Sequence, residues 1–309
     1  MQRHMLRSVM PFHVVKSLSG LALGLSLLTV GGPLLGEWVA TKAPTFGRRA
    51  AQEVRRLGQA FEEVSFAAED GALLQGWFFP QADPQAPAIL YAPATRRDQR
   101  SGLALVRPLH EAGYQVLLFS YRGHGLSQGN RSGFTYGAKE SRDVDAAVSY
   151  LAEDKGISHI GAIGHSAGAV SVLLSAARNP RIGAVVAAAP FPTVETVWET
   201  NCPAIFPRPL LEMTLRLSEV TRGYSREEVR PLDVVSRISP RPVFLLHGLE
   251  DARIRQEQAR ELFSAAQAPK QLWLVEGADH AEMGAPTITA LMDAIVAFFQ
   301  QALLEGSGS

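Results

Sequence analysis

Short apolar runs alternate with longer helix-forming segments along most of this chain. From about residue 88 onward, each apolar run is only four or five residues long, and a helical segment or a long connection separates it from the next. This alternation is typical of β-α-β units, in which parallel strands are buried under helices on both faces of a sheet. The predicted strands are Ala88–Tyr91, Gln115–Phe119, His159–Ile163, Ala184–Ala188, Pro242–Leu246 and Gln271–Val275. Besides a helix directly after the third of these runs, the pattern predicts helices over Gly102–Glu111, Gly137–Glu153, Gln256–Ala266 and Thr287–Leu304.

Two further strands precede this series, and one long insertion interrupts it. Phe61–Phe66 and Leu73–Phe79 flank the turn Glu69-Asp70-Gly71, which predicts a β-hairpin. Between Pro190 and Pro240, about fifty residues with seven prolines contain the helical stretch Leu210–Arg222. Because so long a connection is usually functional, we expect it to form a small cap, inserted after the sixth strand.

Composition excludes several classes of function. The chain has 309 residues, 46% of them hydrophobic, which is enough for one large α/β domain. Thirty basic residues balance thirty acidic ones, so no overall positive field favours a nucleic acid. The only cysteine, Cys202, excludes an intrachain disulfide and any cysteine-based metal cluster. Neither a metal-ligand pattern nor a glycine-rich phosphate loop is present, so we expect no metal and no cofactor.

The N-terminal segment has the character of a membrane anchor. No residue from Ser17 to Gly36 is charged, the run is rich in Leu, Ala and Gly, and its twenty residues are about the length that spans a bilayer as a helix. Three basic residues, Arg3, Arg7 and Lys16, precede this run. Basic residues also follow it, so the positive-inside rule does not choose which side of the membrane the rest of the chain faces.

The sequence therefore predicts three regions: a transmembrane anchor or signal segment over residues 1–36, a juxtamembrane stalk over 37–60, and a catalytic domain over 61–305 with its cap at about 190–240. A cleaved secretory signal is the first alternative, which would leave a secreted or periplasmic protein, although Val39-Ala40-Thr41 is a poor cleavage site. A buried helix is the second.

One pentapeptide carries the first indication of chemistry. Gly164-His165-Ser166-Ala167-Gly168 follows a predicted strand and runs directly into helix-forming residues. Strand, tight turn and helix in this order present a serine at the carboxyl edge of a sheet, where small neighbours allow a strained backbone. Ser166 is therefore a candidate nucleophile, and the first amides of the helix could hold an oxyanion. The motif alone is also compatible with a glycine-rich turn that has no chemistry.

A serine nucleophile needs a base, and the base needs an acid that orients it. In this class of sheet they follow in the order Ser, Asp or Glu, His, each on a loop after a later strand. Asp251 lies 85 residues beyond Ser166 (251 − 166) and follows one strand, and His280 lies 29 residues further (280 − 251) and follows the next. We predict Asp251 as the acid and His280 as the base. Glu250 is the alternative acid.

The remaining polar candidates are expected to be structural. His247 directly follows a strand, and Asp279 should cap or solvate the loop that carries the predicted base. The side chain of His165 should point away from the serine, and His124 lies in a tight Arg-Gly-His-Gly turn that favours packing.

With these residues in view, the chain resembles the α/β-hydrolase superfamily, over about Glu62 to Phe299. It looks most similar to membrane-anchored bacterial hydrolases that are related to eukaryotic α/β-hydrolase-domain proteins with an N-terminal anchor. The segments that carry the resemblance are Asp70-Gly71, Gly76-Trp77, Tyr121 to Ser127, Gly164 to Gly168, Arg241 to Gly248 with Asp251, and Gly277 to His280.

The resemblance implies an α/β-hydrolase fold and a serine hydrolase with Ser166 as nucleophile, His280 as base and then acid, and Asp251 as orienter. Members usually carry His-Gly after the strand that here ends at Tyr91, and an amide just beyond supplies half of the oxyanion hole. This chain has Pro93 there, which has no N–H. The expected donors are therefore the amide of Ala167 and that of Ala94 or Thr95.

The expected reaction is cleavage of carboxylic esters or thioesters through an acyl-enzyme. The predicted partners are a small-molecule or lipidic acyl ester as substrate and a membrane, reached through the N-terminal helix, with no nucleic acid. A serine peptidase on the same fold is the first alternative. A non-catalytic binding protein is the second, because of the altered oxyanion segment, and cofactor-free haloperoxidase or lyase chemistry is the third.

Overall fold

Eight strands form a single sheet in the computed structural model, which describes residues 35, 38, 41–43, 50–202, 207–281 and 289–305. Each predicted strand is present, with bounds shifted by at most two residues. In chain order the strands are β1 (Glu62–Ala67), β2 (Leu73–Phe79), β3 (Ala88–Ala92), β4 (Gln115–Ser120), β5 (Ile160–His165), β6 (Ile182–Ala188), β7 (Val243–Gly248) and β8 (Lys270–Val275).

The strands lie in the spatial order β1-β2-β4-β3-β5-β6-β7-β8. β2 pairs antiparallel with both β1 and β4, and every other pair is parallel, so the predicted hairpin and the mostly parallel sheet are confirmed. After β3, the chain forms β4 on one side of it. It then crosses to the other side of β3 and forms β5. Ligands of open α/β sheets bind beside such a reversal, outside the carboxyl ends of the strands.

Helices cover both faces of the sheet. One of them starts later than the sequence predicts: the helix expected from Gly137 begins at Glu140, because Gly137 has a φ of +129°, outside the helical region. The last helix and the one after β4 both end in a π-helical turn. The α-helices with bounds in the described part of the chain are α1 (Ala50–Arg55), α2 (Leu103–Glu111), α3 (Glu140–Ser149), α4 (Ala167–Ala176), α5 (Val194–Asn201), α6 (Arg208–Arg222), α7 (Pro231–Val234), α8 (Gln256–Ala265) and α9 (Thr289–Phe299).

Two hydrophobic clusters hold the layers together, one on each face of the sheet. Successive strand residues point to opposite faces, so Leu117 of β4 joins the cluster under α3, α4 and α8, whereas Leu118 joins the cluster under α2 and α9. Because both faces are buried, the central strands are almost entirely apolar. This explains why short continuous apolar runs identified them in the sequence.

The insertion after β6 is present where the sequence predicts it. It leaves the carboxyl edge of the sheet after Ala188 and contains α5, α6 and α7 before β7 begins at Val243. A third apolar cluster joins it to the start of α4, with Val194 and Leu215 of the insertion packed beside Ala167 and Val170. The insertion therefore lies over the helix that follows the candidate nucleophile.

The described residues before β1 pack against the domain. Trp38 donates from Nε1 to Ser132 Oγ at 2.8 Å, and the Arg222 guanidinium donates to Thr41 Oγ1 at 2.9 Å. Val54 of α1 is fully buried in the cluster under α2. The predicted stalk, where it is described, is thus in contact with the folded domain.

The predicted anchor or signal segment, residues 1–36, lies outside the described residues except for Leu35. Among the helices that the structure describes, none combines the length and the apolar character needed to cross a bilayer.

Candidate active site

Ser166 occupies a sharp turn between β5 and α4. Its backbone has φ +55° and ψ −120°, a conformation that is strained for a residue with a side chain. The Ser166 amide donates to the Ala188 carbonyl at the end of β6 at 2.8 Å, which fixes the turn to the neighbouring strand. The side chain is 9% exposed at the carboxyl edge of the sheet. The strand, turn and helix predicted from the pentapeptide are therefore all present.

The two glycines of the pentapeptide are required by close backbone contacts. A Cβ on Gly164 would lie within 3 Å of the Gly168 carbonyl oxygen, and a Cβ on Gly168 would lie within 3 Å of the Ala92 carbonyl oxygen. In both cases the clashing atom belongs to the backbone, which cannot rotate away. Small residues here let α4 start directly against the end of β3.

The structure brings the three predicted residues of the triad together. His280 Nε2 lies 3.1 Å from Ser166 Oγ, and His280 Nδ1 lies 2.6 Å from Asp251 Oδ2. A carboxylate can only accept hydrogen bonds, so Nδ1 carries the imidazole proton, and Nε2 is left to accept the serine hydroxyl proton. His280 is half-buried and Asp251 is buried. This is the arrangement in which an imidazole can act as a general base toward a serine hydroxyl.

The loop after β7 holds Asp251 in its ionised form. Its Oδ1 accepts hydrogen bonds from the Arg253 and Ile254 amides at 2.8 and 2.9 Å. Burial by itself raises the pKa of this carboxyl, but the hydrogen bond from His280 and these two amides outweigh burial, and the pKa lies below its ordinary value. Glu250, the alternative acid, has an exposed side chain, and its amide donates to the Ala278 carbonyl at 3.0 Å.

His165, the residue before the serine, turns to the opposite side of the strand and contacts the base loop. Its Nε2 lies 2.8 Å from the backbone carbonyl oxygen of His280, and the two imidazole rings are 5.1 Å apart between centroids. Burial, and secondly the neighbouring His280, lower the pKa of His165 to about 3. Its ring is neutral at neutral pH. The sequence predicts that this side chain points away from Ser166, but nothing in it indicates the contact with His280.

The other candidate polar residues make local hydrogen bonds. His247 Nε2 lies 2.8 Å from the Ile254 carbonyl oxygen, and Asp279 accepts from the Ala281 amide at 2.7 Å. His124 is buried between the rings of Tyr121 and Phe134, and its Nδ1 lies 3.0 Å from the Arg122 carbonyl oxygen. In the described part of the chain, no group of three or more His, Cys, Asp and Glu residues could hold a metal ion.

The segment after β3 lies directly beside the turn that carries the serine. Ala92 pairs with Gly164 across the β3–β5 ladder, so Pro93 follows at the level of His165. Ala94 is buried and Thr95 is half-buried, and the Arg97 amide donates to the Ala94 carbonyl at 3.0 Å. The structure therefore places the predicted oxyanion segment against the first turn of α4, whose first amides have no carbonyl partner within the helix.

A cluster of charges organises the insertion. Arg226 is 10% exposed at its side chain and makes ion pairs with Glu212 at 2.8 Å, Glu219 at 3.2 Å and Glu195 at 3.4 Å. Hydrogen bonding to Arg226 lowers the pKa of Glu212 to about 2. One cation thus ties together α5, α6 and the turn that follows α6. No periodicity in the sequence indicates this cluster.

Comparison with known proteins agrees with the fold. Residues 99–236 match the family model described as serine aminopeptidase, S33, a range that includes Ser166 but neither Asp251 nor His280. The esterase Pf2001 of Pyrococcus furiosus superposes with a TM-score of 0.66 at 21% identity, covering 80% of this chain and 95% of that one. The α/β hydrolase GrgF from Penicillium sp. sh18 superposes at 0.65 with 20% identity, covering 79% and 99%. The chain has the α/β-hydrolase fold.

A relative in sequence matches most of the chain. The uncharacterized protein YfhR of Escherichia coli (strain K12) is 29% identical over 227 residues, which is 71% of this chain and 73% of YfhR. The family model and the structural neighbours together support the α/β-hydrolase superfamily and a hydrolase activity. In the α/β-hydrolase fold the nucleophile stands on a sharp turn from a strand to a helix, and the acid and then the base follow it along the chain. Ser166, Asp251 and His280 stand in this order.

Proposed function

We propose that the protein is a serine hydrolase that cleaves carboxylic ester or thioester bonds. Ser166 is the nucleophile, His280 is the general base and then the general acid, and Asp251 orients His280. The observation that carries this proposal is the continuous hydrogen-bonded series from Asp251 Oδ2 through the His280 ring to Ser166 Oγ, at 2.6 and 3.1 Å. The strained backbone of Ser166 supports it, since strain of this kind accumulates at functional sites.

The reaction follows from the geometry. Ser166 Oγ attacks the acyl carbon as its proton moves to His280 Nε2, and buried Asp251 stabilises the imidazolium that forms. The imidazolium then gives its proton to the departing alcohol or thiol, and an acyl-enzyme remains on Ser166. A water molecule, activated by the same imidazole, releases the acid and restores the serine.

We assign the oxyanion hole to the Ala167 amide together with the amide of Ala94 or Thr95. Ala167 begins α4, so the positive end of the helix faces the developing negative charge. Pro93 has no N–H, and the second donor must therefore come from the residues after it. Removing one such donor commonly lowers kcat by about 100- to 1000-fold. The rate on simple esters therefore depends on whether this second amide lies within hydrogen-bond distance of the oxyanion.

A fluorophosphonate probe tests the nucleophile directly. The wild-type protein should be labelled covalently on Ser166, and the Ser166→Ala variant should not be labelled. Labelling that persists in Ser166→Ala would overturn the assignment. A panel of p-nitrophenyl esters of increasing acyl length then measures the substrate class; the proposed membrane anchor favours acyl or lipidic esters over strongly charged ones.

A serine peptidase is the second candidate, and the description of the matched family model favours it. Both activities would use the same triad, so substitutions in the triad do not separate them. Aminoacyl p-nitroanilides and p-nitrophenyl esters, assayed on one preparation, separate them by the ratio of kcat/KM values. A higher kcat/KM on the anilides would assign the peptidase.

A non-catalytic binding protein on the same fold is the third candidate, and Pro93 is the observation behind it. If the wild type hydrolyses any ester, and both Ser166→Ala and His280→Ala lose this activity, the binding-protein candidate is excluded. No turnover and no probe labelling in the wild type would favour it.

We also propose that residues 1–36 anchor the protein in a membrane, that residues 37–60 connect this anchor to the catalytic domain, and that residues 190–240 cap the site. The uncharged run Ser17–Gly36 supports the anchor. Membranes from expressing cells, washed with alkaline carbonate, should retain the full chain. Release of the protein with a new N-terminus near Ala40 would instead support a cleaved signal. Protease access to a C-terminal reporter would then decide which side the domain faces.

A further inference from the structure

His165 connects the two halves of the candidate site without belonging to the triad. It is the last residue of β5, and Ser166 follows it directly. Its Nε2 is 2.8 Å from the backbone carbonyl oxygen of His280, 115 residues away in sequence. This hydrogen bond links the strand that presents the nucleophile to the loop that presents the base.

The surroundings of His165 keep its ring neutral. The side chain is 8% exposed, and it lines a small cavity with apolar walls that include Tyr91, Leu105, Ile163 and Leu291. The titratable and charged side chains that influence the His165 ring are His280 and Asp251 of the triad and the exposed Arg97. A neutral imidazole has a single N–H, and the His280 carbonyl can only accept. Nε2 of His165 therefore carries the hydrogen.

This contact fixes the base from a third direction. Asp251 holds Nδ1 of the His280 ring and Ser166 meets Nε2, but neither contact restrains the His280 backbone. Elsewhere on the same loop, the Glu250 amide donates to the Ala278 carbonyl, and Asp279 accepts from the Ala281 amide. Of these bonds, only the one from His165 ties the His280 peptide itself to the strand that bears the nucleophile.

We infer that His165 is a positioning residue for the proposed hydrolase: its Nε2–H holds the His280 backbone so that the His280 ring stays in register with Ser166 Oγ. This inference rests on the proposed function, because it assigns His280 as the base. Misplacing a catalytic group by 1 Å can cost on the order of 100-fold in rate. Loss of this bond should therefore lower kcat more than it changes KM.

Three variants of the full-length protein test the inference. His165→Leu removes the donor, and kcat on a p-nitrophenyl ester should fall by about 10- to 100-fold with little change in KM. His165→Gln keeps an N–H donor at a similar reach, and kcat should return close to the wild-type value. His110→Leu is the matched control: His110 Nε2 also meets a backbone carbonyl, that of Pro80, at 2.9 Å, but at the opposite edge of the sheet. This control should leave kcat unchanged.

The pattern of the three values decides the outcome. A kcat in His165→Leu close to that of the wild type, or a kcat in His165→Gln as low as in His165→Leu, would overturn the inference. Thermal melts of each variant show whether it still folds. If both His165 variants have a lower Tm but the same kcat as each other, His165 has a structural role only.

A direct measurement does not depend on turnover. Nitrogen NMR of protein labelled on its eight histidines reports which ring nitrogen carries the hydrogen, and the His165→Gln variant identifies the His165 signals. We expect the Nε2–H tautomer of His165, with no titration of this ring near neutral pH. The Nδ1–H tautomer would overturn the inference, even if His165→Leu failed to fold. A wild-type protein that shows this tautomer but hydrolyses no ester would contradict the proposed function and leave the contact itself standing.

Discussion

Replacing Asp251 by Asn tests the site most sharply, because the surrounding backbone dictates how the new side chain must lie. Oδ1 of Asp251 accepts from the Arg253 and Ile254 amides, so the oxygen of an Asn side chain must occupy that position. Its NH₂ group then takes the place of Oδ2, 2.6 Å from His280 Nδ1. Two donors cannot face each other, so Nδ1 must become an acceptor, and the imidazole proton moves to Nε2.

The consequence for the reaction is large. A proton on Nε2 points at Ser166 Oγ, 3.1 Å away, and the imidazole can no longer accept the serine proton. The same change of tautomer in serine proteases lowers kcat by about 10,000-fold, which corresponds to about 5 kcal/mol of transition-state stabilisation. KM should change little, because the shape of the site is preserved.

The assay is the steady-state hydrolysis of a short p-nitrophenyl ester, with the rate of fluorophosphonate labelling as a second measure of Ser166 reactivity. Glu250→Gln is the matched control, since Glu250 adjoins Asp251 but its side chain is exposed; its kcat should equal that of the wild type. If Asp251→Asn kept kcat within tenfold of the wild type, or if Glu250→Gln lost as much as Asp251→Asn, the assignment of the acid would be refuted.

Three further perturbations have defined outcomes. Gly168→Ala would push a methyl group against the Ala92 carbonyl, and urea denaturation should show a loss of about 1 to 3 kcal/mol in unfolding free energy. Gly183→Ala is the control, because the atom nearest to its new methyl group is the end of a flexible side chain. An equal loss in Gly183→Ala would contradict the explanation by a backbone clash. Although burial raises the pKa of Asp251, hydrogen bonding from His280 and two amides lowers it below its ordinary value. The stability that the ionised carboxylate contributes is present above the ordinary pKa of an aspartate, about 3.9, and is lost as the pH falls through the lowered pKa. Urea denaturation below about pH 4 should therefore show the wild type losing stability relative to Asp251→Asn. Parallel curves of unfolding free energy against pH would exclude this linkage. Arg226→Gln removes the cation that joins three carboxylates of the insertion. Limited proteolysis should therefore cut residues 190–240 faster in this variant than in the wild type. Equal rates of cleavage would show that the charge cluster does not hold the insertion in place.

The local elements of the fold could be predicted because their signals are local. The buried parallel strands are continuous apolar runs such as Val116 to Phe119, as expected for a sheet that helices cover on both faces. The turn at Ser166 was predictable because only glycine fits the contacts on either side of it. Where a prediction differed from the structure, as at the start of α3, the reason is equally local: the backbone at Gly137 is not helical.

The sequence by itself determined the parallel sheet, the turn that presents Ser166, and the order in which an acid and a base follow it along the chain. Only the tertiary structure decided that Asp251, and not its neighbour Glu250, faces His280, and that His165 meets the backbone of His280. The physical reason is that side-chain direction in an irregular loop depends on the φ and ψ of each residue, which no periodicity in the sequence reports. Two of the contacts that align the candidate site, from His280 to Ser166 and to His165, join residues more than 100 positions apart. They exist only once the carboxyl ends of β5, β7 and β8 lie along one edge of the sheet.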